Sequence, residues 1–177
     1  MKIVKFILLP LLVVILAFYI AGFFAPEGWD VEVSTEINAS PEAIHPWISD
    51  LRRWEEWIAM GQADSAFEFS YAGEESGVGA VAKSVGPGSN VRWEITASDP
   101  QKGVWFDEIL EENIPAKGAI MLEAHGATTK VTWVDRGSLG DGPFLRLFHP
   151  LMQSSLAKGF TDNLASLKSK IESQDGE

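Results

Sequence analysis

The sequence predicts an α+β domain in which about seven antiparallel strands are closed by one long C-terminal helix, carried behind an apolar N-terminal helix. Three observations predict it. Apolar and polar residues alternate with period two from Trp29 to Ile37 and again between Phe67 and Leu139, cut at short intervals by Gly, Pro and Asp. From Phe144 to Ile171 apolar residues recur every three or four positions, the spacing of a single helical stripe. Residues 3–24 carry one charge, Lys5, at the very start of an otherwise apolar run. At 177 residues the chain is long enough for one domain and a short appendage.

The apolar run comes first. At about 1.5 Å per residue, positions 3–24 extend for about 33 Å, enough to cross a hydrocarbon core of about 30 Å. Pro10 is compatible with such a helix. Lys2 precedes the run and Lys5 lies in its first turn, and all 25 acidic residues follow Phe24. Basic residues favour the cytoplasmic side, so the expectation is a single-pass anchor over 1–26, cytoplasmic N-terminus, with residues 27–177 as one extracytoplasmic domain. The competing reading is a cleaved signal peptide, for which Ala21-Gly22-Phe23 is a crude small-x-small site and the apolar stretch is too long.

Within 27–177, Val31, Val33, Thr35 and Ile37 share one face of the first strand, with acids or Ser34 on the other. Ser40-Pro41-Glu42 reads as a helix start: a capping hydroxyl, a proline suited to the first helical position, and a carboxylate at the positive helix end. That helix runs through Ile44, Trp47 and Ile48, shortened or bent by Pro46. A second helical turn covers Leu51 to Trp57. Strands follow at Phe67–Tyr71, Val78–Val85, Val91–Ala97, Val104–Leu110, Ala119–Ala124 and Lys130–Asp135. Short connections make them an antiparallel meander. Asp141-Gly142-Pro143 starts the last helix, and Pro150 bends it or splits off its first turn.

Charge and composition remove several functions. Fourteen Lys and Arg against 25 Asp and Glu give a net charge of −11, which argues against nucleic acid as a partner. The absence of cysteine excludes disulfides, thiolate nucleophiles and cysteine zinc sites. No HExxH, paired-histidine spacing or EF-hand loop occurs, so no metal is expected. Gly77-Val78-Gly79 and Gly86-Pro87-Gly88 lack a nucleotide-loop context and read as hairpin turns; no cofactor is implied. No serine sits in GxSxG.

The segments Val33-Ser34-Thr35-Glu36-Ile37-Asn38-Ala39-Ser40-Pro41-Glu42 and Ile48-Ser49-Asp50-Leu51-Arg52-Arg53-Trp54-Glu55-Glu56-Trp57 resemble the opening strand, helix and second helix of the START-like, or SRPBCC, superfamily. That superfamily includes polyketide cyclase/dehydrase-like proteins. Gly77-Val78-Gly79-Ala80, Thr129-Lys130-Val131-Thr132-Trp133 and Asn163-Leu164-Ala165-Ser166-Leu167-Lys168 are similar to its later motifs in the same order. The resemblance covers roughly Trp29 to Ile171. It implies the helix-grip fold, a curved antiparallel sheet around the C-terminal helix with an apolar cavity between them. Since the superfamily holds lipid carriers, receptors, cyclases and co-chaperones, it does not settle the function.

Candidate residues follow from both readings. Trp93, Trp105 and Trp133 fall on alternating strands as an aromatic wall for an apolar ligand, or as ordinary core. Phe148 and Met152 would face that wall. His149 is the one histidine the resemblance puts near the cavity mouth; a surface role is the plainer reading. Asp107 shares a face with Trp105 and Ile109, Glu108 with Phe106 and Leu110, and one of the two must point toward the helix. Asp107 or Asp135 facing the cavity is the pocket reading; a rim carboxylate in water, or one paired with Arg136, is the alternative. No catalytic constellation emerges. The expected function is membrane-tethered binding of a hydrophobic small molecule or lipid without turnover. The alternatives are a cyclase-like enzyme using pocket carboxylates or His149, and a partner-binding domain with its cavity filled. No protein partner is legible.

Overall fold

The computed structural model describes residues 2–62, 66–140 and 142–174, without the side chains of 2–8, 61, 62, 144 and 174. Helix α1 covers Lys2–Gly22. Strand β1 (Gly28–Ile37) leads into α2 (Pro41–Ser49), a 3-10 turn over Leu51–Glu56 and the short α3 (Ala59–Gln62). The meander then runs β2 (Glu68–Gly73), β3 (Ala80–Gly86), β4 (Ser89–Asp99), β5 (Gly103–Leu110), β6 (Ile114–His125) and β7 (Thr128–Ser138). Helices α4 (Pro143–Arg146) and α5 (His149–Gln174) close the chain. The seven strands form one antiparallel sheet in the order β1-β7-β6-β5-β4-β3-β2, so the first strand zips onto the last and only β1 and β2 are edges.

Local chemistry accounts for the helical segment. Pro41 occupies the first turn of α2, and Asp50 accepts from the Arg52 N–H at 2.9 Å to start the 3-10 turn. Ile44, Trp47 and Ile48 of α2 and Leu51, Trp54 and Trp57 beyond it are all buried. The buried indoles find carbonyls: Trp54 donates to Ile48 at 3.0 Å and Trp57 to Trp47 at 3.2 Å. An indole N–H without an acceptor would cost about 1–3 kcal/mol, so these bonds fix where the rings sit.

One expectation changes. Strand β6 begins at Ile114, not Ala119, although Pro115 lies within it. Pro115 pairs with Ile109 of β5, but β7 reaches only as far as Ala116, so the missing N–H falls where no ladder partner waits. Of the two outcomes expected at Pro150 the structure shows the split: a first turn, α4, is separate from α5, and Pro150 is the second residue of α5, where its ring costs nothing. Of the expected start signal, Asp141 lies outside the described residues, as does the Phe144 side chain that begins the stripe. The stripe itself meets the core only in its second half. Leu164, Leu167 and Ile171 are buried, Phe160 and Leu156 partly so, and Phe148 is half exposed.

The apolar side chains of α1 from Leu9 to Ile20 are exposed. At its end the buried Gly22 abuts α4, where a Cβ would come within 2.0 Å of the Pro143 carbonyl oxygen. Among the described residues no helix is long and apolar enough to cross a membrane.

Candidate functional site: a cavity between sheet and helix

The inner face of the sheet is set strand by strand. Val91, Trp93 and Ile95 of β4 point inward, while Arg92 and Glu94 face out and pair with each other at 2.7 Å. Val104, Phe106 and Glu108 of β5 are buried, as are Val131, Trp133 and Asp135 of β7 and Trp29 and Val31 of β1. Opposite them α5 presents Ser155, Leu156, Gly159 and Phe160. Ser155 and Gly159 are one helical turn apart and too small to reach the sheet, which leaves a notch in the apolar stripe. The notch opens a cavity of about 240 Å³, lined also by Trp54, Ile58, Met60 and Leu110. At about 30 Å³ per water that is room for about eight waters.

Aromatic rings form the walls. Trp54 lies 5.7 Å from Trp93, 5.3 Å from Phe106 and 5.9 Å from Trp133, and Trp133 stacks on Phe160 at 4.6 Å with 10° between planes. Two close approaches require glycine. A Cβ on Gly118 would sit 2.1 Å from the Phe106 ring, and one on Gly137 2.0 Å from the Trp29 ring. Those two strand positions are therefore empty so that the rings can lie flat on β6 and β7.

Two carboxyls are buried in this wall. Glu108 pairs across the ladder with Trp93 and Ala116, and Asp135 with Val31 and Gly118. Trp93 Nε1 donates to Glu108 Oε1 at 3.0 Å, and Trp29 Nε1 donates to Asp135 Oδ1. The carboxyls also hydrogen-bond to each other. Burial raises the Glu108 carboxyl well above the ordinary carboxylate range, and the neighbouring Asp135 charge adds to it. Burial raises Asp135 as well, opposed by the bonds from Trp29 and Glu108. No base compensates either group among the described residues, so burial disfavours charge on both carboxyls. Trp133 Nε1 is buried without an acceptor, and Asp135 Oδ2 is buried with no donor apart from the Glu108 carboxyl.

The residues expected at the site divide. Trp93 and Trp133 line the cavity. Trp105 and Asp107 do not: they face the opposite side of the sheet, where Asp107 pairs with Lys117 at 2.8 Å. The two faces of β5 carry near-equal apolar content, so alternation could not choose between them. Register chooses, because Phe106 opposes the buried Ile95 and Glu108 opposes Trp93, and an irregularity between Ile95 and Ala97 shifts the pairing that Trp105 meets. Phe148 and His149 lie at the start of α5, and Met152 packs on Trp29, Val31 and Ala116; none of the three lines the cavity. Glu108 is the site residue that the expectation passed over, and its face-sharing with Phe106 and Leu110 was the available signal. The other side of the sheet carries a broader groove of about 1010 Å³ with Trp105, Met121 and Val134 among paired charges. Among the described residues no cluster of three or more His, Cys, Asp or Glu could hold a metal.

Comparison with known proteins places this architecture. Residues 28–172 match the family described as polyketide cyclase/dehydrase and lipid transport. No curated protein matches. Among solved structures, the chain resembles protein CV1439 from Chromobacterium violaceum, with TM-score 0.61 and 13% identity over 83% of this chain and 99% of that one. It also resembles TTHA0849 from Thermus thermophilus, with TM-score 0.62 and 18% identity over 82% and 99%. The Aha1 dimer from Colwellia psychrerythraea aligns with TM-score 0.55 and 18% identity over 81% and 96%. At such identities these likenesses establish the fold alone. The family match spans nearly the whole domain that carries the sheet, the cavity and α5, and the chain belongs to the polyketide cyclase/dehydrase and lipid-transport family.

Proposed function

We propose that the domain binds a hydrophobic small molecule or lipid in the cavity between the sheet and α5, holds it without turnover, and is tethered to a membrane through residues 3–24. The observation that carries this reading is the cavity of about 240 Å³ walled by Trp29, Trp54, Trp93, Trp133 and Phe160. An apolar wall with few polar atoms suits a guest that gains mainly by leaving water. The family description, which names lipid transport, agrees with it. Tethering is supported by the apolar run of residues 3–24, in which Lys5 is the one charge, and by the exposed apolar side chains of α1.

The test is comparative. Full-length wild type and Gly159→Leu are purified identically from detergent extracts, and each is extracted with organic solvent for mass spectrometry. Gly159 lines the cavity, and a Cβ there meets nothing within 4 Å, so a leucine projects into open space and fills the notch. A passenger near one per wild-type chain and absent from the variant supports cavity binding. Equal recovery from both would mean that it rides on α1 or the micelle, and the proposal would fall.

A cyclase- or dehydrase-like activity is the second reading, favoured by the buried Glu108–Asp135 pair facing the cavity. Two carboxyls sharing one proton can both give and accept protons. Glu108→Gln and Asp135→Asn would then carry an unaltered passenger where wild type carries a product of different mass.

A further inference from the structure

We infer that the apolar rim where α1 meets α4 and the start of α5 is seated in the surface of a lipid bilayer, so that the domain lies against the membrane instead of swinging on its tether. The inference rests on the tether of residues 3–24 proposed above and adds the face of the domain that meets lipid. The junction is built to hold one orientation. Only residues 23–27 join α1 to β1, and Phe23, Phe24 and Ala25 continue the helix end as turns, donating to the carbonyls of Ile20, Ala21 and Gly22. Glu27 is fixed twice: its carbonyl accepts from the Leu139 N–H at 2.9 Å, and its carboxylate meets the guanidinium of Arg146 at 3.2 Å. The buried Arg146 also donates to the Gly140 carbonyl at 3.1 Å. With Gly22 pressed on Pro143, α1 leaves the domain at a set point beside α4.

Around that point apolar side chains turn outward. Phe24 is 87% exposed, Leu151 66% and Leu145 54%, with Phe23 and Phe148 close behind. Among the described residues of the sheet and its other helices, Val78 is the one large apolar side chain exposed to the same degree. Charge is distributed to match. In a chain of net charge −11, no acidic residue occurs between Asp141 and Asp162, the longest acid-free interval after residue 26, and Arg146 and Lys158 fall inside it. A carboxylate at a bilayer surface loses hydration to the low-dielectric interior and is repelled by headgroup phosphates, whereas apolar side chains gain by entering the headgroup boundary. The rim carries the residues that such a surface admits and lacks the ones that it rejects.

Position completes the case. A helix that crosses the hydrocarbon ends at the interface, where aromatic side chains are favoured. Tyr19 and Phe23 stand edge to face at 5.3 Å at this end of α1. Because Pro143 touches Gly22, α4 sits at the depth of the helix end, and its exposed Leu145 meets the headgroup boundary. Leu151 carries the rim onto α5. One helical turn further, Ser155 is exposed while lining the cavity, so it marks the cavity mouth. That mouth stands about 6 Å along α5 from the lipid contact.

The experiment uses the full-length chain in phosphatidylcholine vesicles. The chain has no cysteine, so Leu145→Cys, Leu151→Cys, Val13→Cys and Ser76→Cys each supply one thiol for a polarity-sensitive nitrobenzoxadiazole label. Val13 lies within α1 and Ser76 on an exposed turn, and both leucines are exposed, so no label enters the core. The labels at Leu145 and Leu151 should emit to the blue of the one at Ser76 and lose emission to lipids spin-labelled near the top of the acyl chains. The label at Val13 should lose emission most to lipids labelled deep in the chains, and the one at Ser76 to neither. Quenching at Val13, with Leu145 and Leu151 behaving like Ser76, would overturn the seating and leave the tether and the cavity standing. Absence of quenching at Val13 would take down tether and seating together. Disulfide-linked dimers of Leu151→Cys without lipid quenching would also overturn the seating, in favour of a second copy of the chain on this rim.

Discussion

At the scale of single residues, the site is made by what is missing as much as by what is present. Gly118 leaves the space that the Phe106 ring fills, and that ring is pinned from the far side by Trp54. Gly118→Ala should therefore destabilise the domain by about 1–3 kcal/mol, read as a lowered urea midpoint, because neither ring has anywhere to move. The buried carboxyls make a second prediction. Glu108 binds its proton more tightly in the folded protein than in the unfolded chain, so in the window between the two pKa values the folded state holds more protons. Stability is then fully present in acid and falls as pH rises from the ordinary carboxylate range through the raised folded value, by at most about 1.4 kcal/mol per pH unit for one group. Glu108→Gln removes that titration while keeping a similar shape. Its stability relative to wild type should climb with pH across urea titrations in a buffer series, and a constant difference would refute the assignment. Glu108 and Asp107 also show where reading by alternation stops. Both acids sit between apolar neighbours of similar size, and only the pairing of Glu108 with Trp93 shows which one turns inward.

At the scale of elements, α5 does two jobs with two halves. Leu164, Leu167 and Ile171 seal the C-terminal half against α2 and the sheet, whereas Ser155 and Gly159 hold the other half off the sheet and leave the cavity. Glycine inside a helix is unfavourable, and here a Cβ would meet nothing within 4 Å. Gly159→Ala should raise thermal stability by about 0.5–1 kcal/mol while slightly narrowing the cavity, checked by melting the variant with and without added ligand. A destabilised Gly159→Ala would mean that the helix backbone itself comes close to the guest or the sheet. The stripe was legible from spacing alone. That its N-terminal members Phe148 and Met152 stay clear of the cavity was not, because the break at α4 and the seating of α5 on β1 set which part of the stripe lies over which strand.

At the scale of the whole molecule, the chain is an apolar helix followed by a domain whose first and last strands are neighbours. The contact of Gly22 with Pro143 sets the end of α1 against α4, and Leu145, Phe148 and Leu151 expose apolar surface around that junction. The proposed tether, with the domain on the extracytoplasmic side, makes a topological prediction. Since the chain has no cysteine, Ser76→Cys on an exposed turn supplies a unique thiol. A membrane-impermeant maleimide should label it fully in sealed right-side-out vesicles and leave it untouched in inverted ones. The reverse pattern would put the domain on the cytoplasmic side. Labelling of a freely sedimenting, membrane-free chain would remove the tether.

The sequence by itself determined the α+β class, the seven strands, the closing helix and the apolar N-terminal run. All of these follow from periodicity and local turn chemistry, which act over a few residues. Its aromatic wall was legible only in part, since Trp93 and Trp133 share the cavity with Trp54 and Trp29 while Trp105 turns away. Only the tertiary structure decided the inward phase of β5, the meeting of Glu108 with Asp135 and the void beneath Ser155 and Gly159. Each depends on the register between strands far apart in the chain and on how closely one helix can approach the sheet, and neither is encoded in any single segment.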